Sequence, residues 1–216
     1  MEKGAPWFAQ IGSKKSSGTK LFSVSGDCRR PGIYELPYGI TMEDLLGEVG
    51  GEDAIAVQVG GPSGQCISPE GFKRVICYDD LATGGSVIVF GPGRNILDRA
   101  SQFMDFFIEE SCGWCTPCRV GNVLIKERLD KIRSGSGEPE DLVYLEELCR
   151  TVKTMSRCGL GQTSPNVVLT TMQNFRHVYE KGVSRSADGL NRAFDLDAAL
   201  QEAVRAQGRG PVHAEE

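Results

Sequence analysis

Residues 112–118 of the chain have the sequence CGWCTPC, in which three cysteines recur at steps of three residues. Thiols spaced this closely along one short loop favour a metal or redox site over a disulfide framework. Each iron of a [4Fe-4S] cube takes one thiolate, so this loop could supply three corners of the cube. Gly113 lets the backbone bend, and Pro117 fixes the chain ahead of the third cysteine. The segment therefore predicts an iron–sulfur site.

A fourth thiolate has to come from the other five cysteines of the chain. Cys149 and Cys158 are the candidates. Cys149 lies on the apolar stripe of a predicted helix, where a free cysteine behaves as a small hydrophobic residue. Cys158 lies outside that pattern in the sequence RCGLG, residues 157–161, whose glycines let backbone amides approach inorganic sulfide. We favour Cys158, which gives a ligand set of Cys112, Cys115, Cys118 and Cys158.

Other chemistry fits the cysteines less well. Structural zinc sites usually pair two CxxC knuckles, whereas three ligands from seven residues crowd one side of an ion. The two histidines, His177 and His213, are distant in sequence from the cysteine segment. A catalytic thiol at Cys28 or Cys66 has no histidine nearby. Arg119 and Arg157 adjoin two of the cysteines. Their positive charge could offset the negative charge of a cluster, or they could be ordinary solvated surface residues.

The sequence around the cysteine loop predicts helices. Apolar residues at steps of three and four extend from Asn95, and a second stripe runs from Val120 to Ile132. Pro139 is predicted to open a third helix, and a fourth is predicted over residues 165–181. Helices of this length can share one core, so residues 93–182 are predicted to form a four-helix bundle that binds the [4Fe-4S] cluster.

Residues 20–92 predict a small β domain. Thr41 followed by Asp44 resembles a capping box at the start of a short helix, which Gly50 and Gly51 end. The glycine-rich segment 60–64 lacks a P-loop ending and is predicted to be a tight turn. Strands around one helix indicate a β-grasp-like fold, so the chain is assigned to the α+β class. The predicted strands are Leu21–Val24, Ile33–Leu36, Ala54–Val59, Val75–Tyr78 and Ser86–Phe90.

The two terminal segments and the overall composition allow further predictions. Residues 1–19, with Trp7 and Phe8, are predicted to be a docking segment, and residues 183–216 a polar tail. A net charge of −5 and a pI near 5.2 argue against nucleic-acid binding. No apolar run is long enough to span a bilayer and no secretory signal is recognised, which predicts a cytoplasmic protein without direct membrane insertion.

Five segments carry a resemblance to a known family. They are ESCGWCTPCR at 110–119, SRCGLGQTSP at 156–165, VQVGGPSG at 57–64, GTKLFSVSG at 18–26 and RPGIYE at 30–35. They closely resemble the flavin-bearing, NADH-oxidising subunit of respiratory complex I. The third segment and Ser156–Arg157–Cys158 look most like the diaphorase subunits of NAD-reducing hydrogenases and NAD-dependent formate dehydrogenases. The resemblance covers roughly residues 4–182.

The resemblance implies a soluble-ligand-binding β-grasp (SLBB) domain followed by a four-helix domain with one [4Fe-4S] cluster on the four cysteines named above. The family's glycine-rich FMN and NADH domain is not recognised in this sequence, so the resemblance places FMN and NAD(P) on a partner subunit, if anywhere. Since flavin splits the electron pair of a hydride, we do not expect NADH oxidation by this chain alone.

Two functions follow as alternatives. The first is an electron-transfer subunit that passes single electrons between a flavin, or another cluster, and a neighbouring iron–sulfur cluster. Its partners would be flavoprotein or iron–sulfur subunits of an NAD(P)-linked oxidoreductase. The second is a redox-silent binding or scaffold module whose metal only holds the helices together. A redox-active iron site would favour the first, and a stable metal without redox response the second.

Overall fold

A computed structural model describes residues 2–184 of the chain, and the predicted α+β class is confirmed. A five-stranded sheet occupies the first half and helices occupy the second. The strands are β1 Thr19–Gly26, β2 Gly32–Pro37, β3 Ala56–Val59, β4 Gln65–Ile67 and β5 Ser86–Phe90. The helices are α1 Gly4–Phe8, α2 Met42–Val49, α3 Ile96–Glu109, α4 Thr116–Arg133, α5 Pro139–Met155, α6 Gly159–Thr163, α7 Asn166–Asn174 and α8 Arg176–Lys181.

The sheet has the strand order β2-β1-β5-β3-β4. The pairing of β1 with β5 is parallel, and the other three pairings are antiparallel. Successive side chains of a strand point to opposite faces, so Phe22 and Val24 of β1 enter the core while Leu21 stays exposed. Helix α2 covers this inner face with its buried residues Met42, Leu45, Leu46 and Val49.

Two local predictions in this half are confirmed. Thr41 caps α2 through a reciprocal capping box with Asp44, and α2 ends where Gly50 adopts a left-handed conformation with φ of 68°. The glycine-rich segment is a turn that joins β3 to β4, since Gly60 and Gly61 have φ values of 89° and 66°.

The predicted strand Val75–Tyr78 is wrong. Its only ladder contact is a single bridge between Val75 and Thr41, and its backbone bonds instead to loop groups, including Ile40 O. The fourth strand is β4, which the sequence did not predict because it has three residues and follows the glycine-rich turn.

Helices α3, α4 and α5 follow the predicted stripes and bury one apolar core together with α7 and α8. The single fourth helix predicted over residues 165–181 is wrong, because two helices, α7 and α8, meet at Phe175. That residue has φ −132° and ψ 38°, outside helical values. Its side chain is buried in a cluster with Ala56, Cys66, Phe90 and Ile96 of the sheet half. Packing against the sheet therefore accompanies the break.

Helix α7 also binds the edge of the sheet through hydrogen bonds. The Cys66 backbone NH of β4 donates to Thr170 Oγ1 at 3.0 Å, and the Cys66 carbonyl accepts from Asn174 Nδ2 at 2.8 Å. Strand β4 is an edge strand, so these side chains satisfy backbone groups that no further strand would pair. The sheet and the helices are thus joined by polar and apolar contacts.

The terminal segments are only partly described. Trp7 and Phe8 lie on α1 and are each 44% exposed, and the Phe8 ring packs against Gly18. Of the predicted tail, Val183 and Ser184 follow α8, and residues 185–216 lie outside the described part of the chain. Between residues 2 and 184, no helix combines the length and apolar character needed to cross a membrane.

Candidate metal centre

The CGWCTPC segment forms the connection from α3 to α4. Cys115 is the N-cap residue of α4, Pro117 lies in the first turn and Cys118 is 6% exposed. The free backbone NH groups and the dipole at a helix N-terminus favour negative charge. Cys112 and Trp114 are exposed, Trp114 to 75%. The segment therefore presents one buried thiol and two more accessible thiols around a helix start.

Internal hydrogen bonds fix the shape of this loop. Arg119 donates from Nη1 to the Gly113 carbonyl at 2.6 Å, which draws the loop back onto the first turn of α4. The Gly113 NH donates to Ser111 Oγ at 3.3 Å, and Gly113 itself has φ of 77°. A residue with a Cβ would be strained in that conformation, which explains the glycine between two cysteines. Arg119 thus closes the loop by a hydrogen bond, and both Arg119 and Arg157 are exposed.

The segment that carries Cys158 packs against Cys118. Helix α5 ends at Met155, and Cys158 is the exposed N-cap residue of α6. Gly161, three residues later, lies so close to the loop that a Cβ there would be 2.6 Å from Ser156 Cβ and 3.1 Å from Cys118 Cβ. The structure therefore places the Cys158 segment against the buried cysteine of the CGWCTPC segment, at the N-terminal end of α4.

Cys149, the alternative fourth ligand, lies elsewhere. Its side chain is fully buried in the helical core among Leu145, Val152 and Tyr179. Burial raises the pKa of its thiol to about 12, with a smaller contribution from Glu146, so the thiolate form is strongly disfavoured. The same holds for Cys66, because burial also raises the pKa of its thiol to about 12. All eight cysteines are within the described residues and have free thiols.

The surroundings of the four cysteines fit an iron–sulfur cluster. Ser156 Oγ is buried without a hydrogen-bond partner in the described structure, beside Gly161 and Cys118. A buried hydroxyl normally has an acceptor, and the sulfur atoms of a cluster would provide one. Within residues 2–184, no three Cys, His, Asp or Glu side chains converge on a point suited to one metal ion. Ligands of a cluster bind separate irons, so they stand further apart than ligands of one ion.

Several polar residues beside the cysteines were missed by the sequence analysis. Asn122 donates from Nδ2 to Cys118 Sγ at 3.5 Å, and Ser111 Oγ lies 3.4 Å from the same sulfur. Ser164 donates to Asn122 Oδ1 at 2.8 Å. The available signal was an amide on an otherwise apolar helix face, four residues after a cysteine and hence one turn further along.

Several known proteins are similar to this chain in sequence. Residues 98–182 match the family described as the NADH-ubiquinone oxidoreductase-F iron-sulfur binding region. The chain is 43% identical over 201 residues to the NAD-reducing hydrogenase HoxS subunit alpha of Cupriavidus necator, covering 93% of this chain and 33% of that protein. It is 37% identical to a subunit of the NADH-quinone oxidoreductase of Rhizobium meliloti, covering 81% of this chain and 44% of that protein.

A solved structure matches the fold described above. The crystal structure of an NAD+-reducing [NiFe]-hydrogenase in the H2-reduced state aligns with 100% of this chain and 38% of its own, with a TM-score of 0.84 and 37% identity. The chain thus spans about a third to less than half of the length of these relatives. Residues 98–182 thus match the NADH-ubiquinone oxidoreductase-F iron-sulfur binding region, and the chain is similar to part of the hydrogenase and NADH-quinone oxidoreductase subunits.

Proposed function

We propose that the chain is an iron–sulfur electron-transfer subunit with one [4Fe-4S] cluster on Cys112, Cys115, Cys118 and Cys158. One observation carries the proposal. The segment after Cys158 packs against Cys118, which supports a site built from both cysteine segments. A bound cluster of this kind accepts and releases one electron at a time.

The cysteines and the residues beside them would each help to hold such a cluster. Cys115 and Cys118 place thiolates where the N-terminus of α4 favours negative charge. Arg119 fixes the loop between Cys112 and Cys115 through the Gly113 carbonyl. The exposed Cys112, Cys158 and Trp114 leave one side of the site near the surface, as exchange of electrons with a second protein requires.

The partners belong to the same proposal. The relatives are subunits of a hydrogenase and of NADH-quinone oxidoreductases. By that likeness, this chain would work in a multisubunit NAD(P)-linked oxidoreductase, in the cytoplasm. FMN and NAD(P), if the complex binds them, would lie on a partner subunit. The neighbouring electron carriers would be a flavin, or another cluster, and a second iron–sulfur cluster.

Metal analysis and electron paramagnetic resonance test the proposal. We expect protein purified without oxygen to contain about four irons and four sulfides per chain and to give a paramagnetic signal after dithionite reduction. Cys158→Ser should lose that signal, because it removes a ligand. Cys149→Ser is the matched control and should keep it, since Cys149 lies in the core. Zinc in place of iron, or iron without a redox response, would instead favour the scaffold function.

A further inference from the structure

Two polar side chains, Asn122 and Ser111, approach the Cys118 sulfur, and a third, Ser164, bonds to Asn122. Asn122 and Ser164 are 0% exposed, and Ser111 is half-buried. Burying an amide or a hydroxyl without a partner is unfavourable, so each of these groups needs a hydrogen bond. The bonds that they make form a chain from Ser164 to Asn122 to the Cys118 sulfur.

The chemistry of a thiolate fixes the direction of this chain. A sulfur bound to iron can only accept hydrogen bonds, so Asn122 must turn its NH2 group toward Cys118 and its carbonyl oxygen away. Ser164 Oγ donates to that oxygen at 2.8 Å, which holds the amide in the donating orientation. Ser111, at 3.4 Å from the sulfur, is a second donor by the same argument. Ser164 therefore acts on the sulfur only through Asn122.

A donor at a ligand sulfur changes the relative stability of the two redox states. The reduced cluster carries one more negative charge than the oxidised cluster, so a hydrogen bond to its ligand stabilises the reduced state more. Asn122 is completely buried, where such a bond is stronger than in water. We propose that Asn122, oriented by Ser164, raises the reduction potential of the site by donating to the Cys118 sulfur. This inference rests on the proposed function.

Redox titration of the 216-residue chain, followed by electron paramagnetic resonance, tests the role of Asn122 and Ser164. We expect Asn122→Ala to lower the equilibrium constant for reduction about tenfold, which is about 59 mV for a one-electron couple. Ser164→Ala should lower the reduction potential by a smaller amount. In the Asn122→Ala background, Ser164→Ala should cause no further shift of the potential.

Ser101→Ala is the matched control. Ser101 is also buried, at 1% exposure in α3, but its hydroxyl bonds to Asp130 and Lys126 on α4 rather than to a cysteine. The reduction potential of the Ser101→Ala chain should equal that of the unsubstituted chain. If Asn122→Ala fails to retain iron, Ser164→Ala decides alone: a lowered potential supports the inference and an unchanged potential overturns it.

The remaining outcomes separate this inference from the proposed function. A redox-active cluster whose potential is the same in the unsubstituted, Asn122→Ala and Ser164→Ala chains would overturn the tuning role and leave the electron-transfer function standing. A Ser164→Ala shift that persists in the Asn122→Ala background would contradict action through Asn122. An unsubstituted chain without redox-active iron would overturn both.

Discussion

At the scale of single residues, Gly161 determines how closely the two cysteine segments approach. It lies within α6 at helical dihedral angles, where alanine is ordinarily preferred by about 1 kcal/mol. In Gly161→Ala, however, the new Cβ would lie 2.5 Å from Ser156 Oγ and 3.1 Å from Cys118 Cβ. We expect this substitution to lower the iron content of the purified chain and its thermal midpoint, measured by metal analysis and circular dichroism.

Gly47→Ala is the control for that prediction. Gly47 is an exposed glycine within α2, distant in sequence from the cysteine segments, and no atom lies within 4 Å of a Cβ placed there. It should retain full iron content and at least equal stability. Equal iron content in the two variants would show that the two segments do not need this close approach.

Asp141 is an almost buried charge that connects α4 to the start of α5. Arg128 Nη1 and Lys131 Nζ donate to its carboxylate at 2.6 and 2.8 Å, and the Glu138 NH donates at 2.9 Å. Asp141→Asn leaves these cations without their charged partner. Because Arg128 and Lys131 are 38% and 21% exposed, we expect a loss of about 1–2 kcal/mol, between the values for surface and buried pairs. Urea unfolding should show this loss, whereas Glu140→Gln, an exposed neighbour, should change little. Equal urea midpoints for Asp141→Asn and Glu140→Gln would contradict a stabilising role for Asp141.

The same carboxylate predicts how stability depends on pH. Burial alone would raise the pKa of Asp141, but the bonds from Lys131 and Glu138 NH outweigh it and lower the pKa. A group with a lowered folded-state pKa stabilises fully above its unfolded value, 3.8, and loses that contribution as pH falls through the folded value. Unfolding free energies measured from pH 6 down should therefore fall less steeply below pH 4 in Asp141→Asn than in the unsubstituted chain.

The cysteines could be chosen from the sequence, but their surroundings could not. The step of three residues marked Cys112, Cys115 and Cys118, and the position of Cys149 on an apolar stripe predicted the burial that the structure shows. The partners of Cys118 depend on residues 42 positions apart, Asn122 and Ser164, which only the tertiary fold brings together. The assignment of all four ligands stays a prediction until the variants above are measured.

At the scale of elements, α7 stabilises the edge of the sheet through two side chains. Thr170→Val keeps the shape but removes the acceptor for the Cys66 NH, and Asn174→Ala removes the donor to the Cys66 carbonyl. An unpaired buried polar group costs about 1–3 kcal/mol. We expect each variant to lower the urea midpoint, while Gln173→Ala, on the exposed side of α7, should not. A stability loss in Gln173→Ala as large as in the other two would refute this.

Elements with strong local signals were predictable, and elements determined by packing were not. The capping box of α2 and the proline that opens α5 act on their own backbone, so the sequence alone identifies them. Strand β4 exists because the turn folds it back onto β3 and because α7 covers its other edge. The break at Phe175 contains neither glycine nor proline, and the Phe175 side chain packs against the distant sheet.

At the scale of the molecule, the sheet and the helices share a hydrophobic cluster. Ala56, Cys66 and Phe90 of the sheet pack there with Ile96 and Phe175 of the helical half. The sequence predicted separate domains at residues 20–92 and 93–182, and that division stays a prediction. The shared cluster and the hydrogen bonds to Cys66 favour unfolding of both halves together, which would keep the cysteine site fixed relative to the sheet.

Two buried cysteines make this testable without introducing a probe. Cys66 lies in β4, and Cys149 lies in the helical core, at 1% and 0% exposure. Burial raises the pKa of both thiols to about 12, so neither reacts with alkylating reagent until its surroundings open. If the halves unfold as one unit, pulsed alkylation in increasing urea, read by mass spectrometry, should give both thiols the same midpoint. Phe175→Ala should then lower the two midpoints equally. Labelling of Cys66 at a clearly lower urea concentration than Cys149 would instead show that the sheet unfolds independently of the helices that carry the cysteine site.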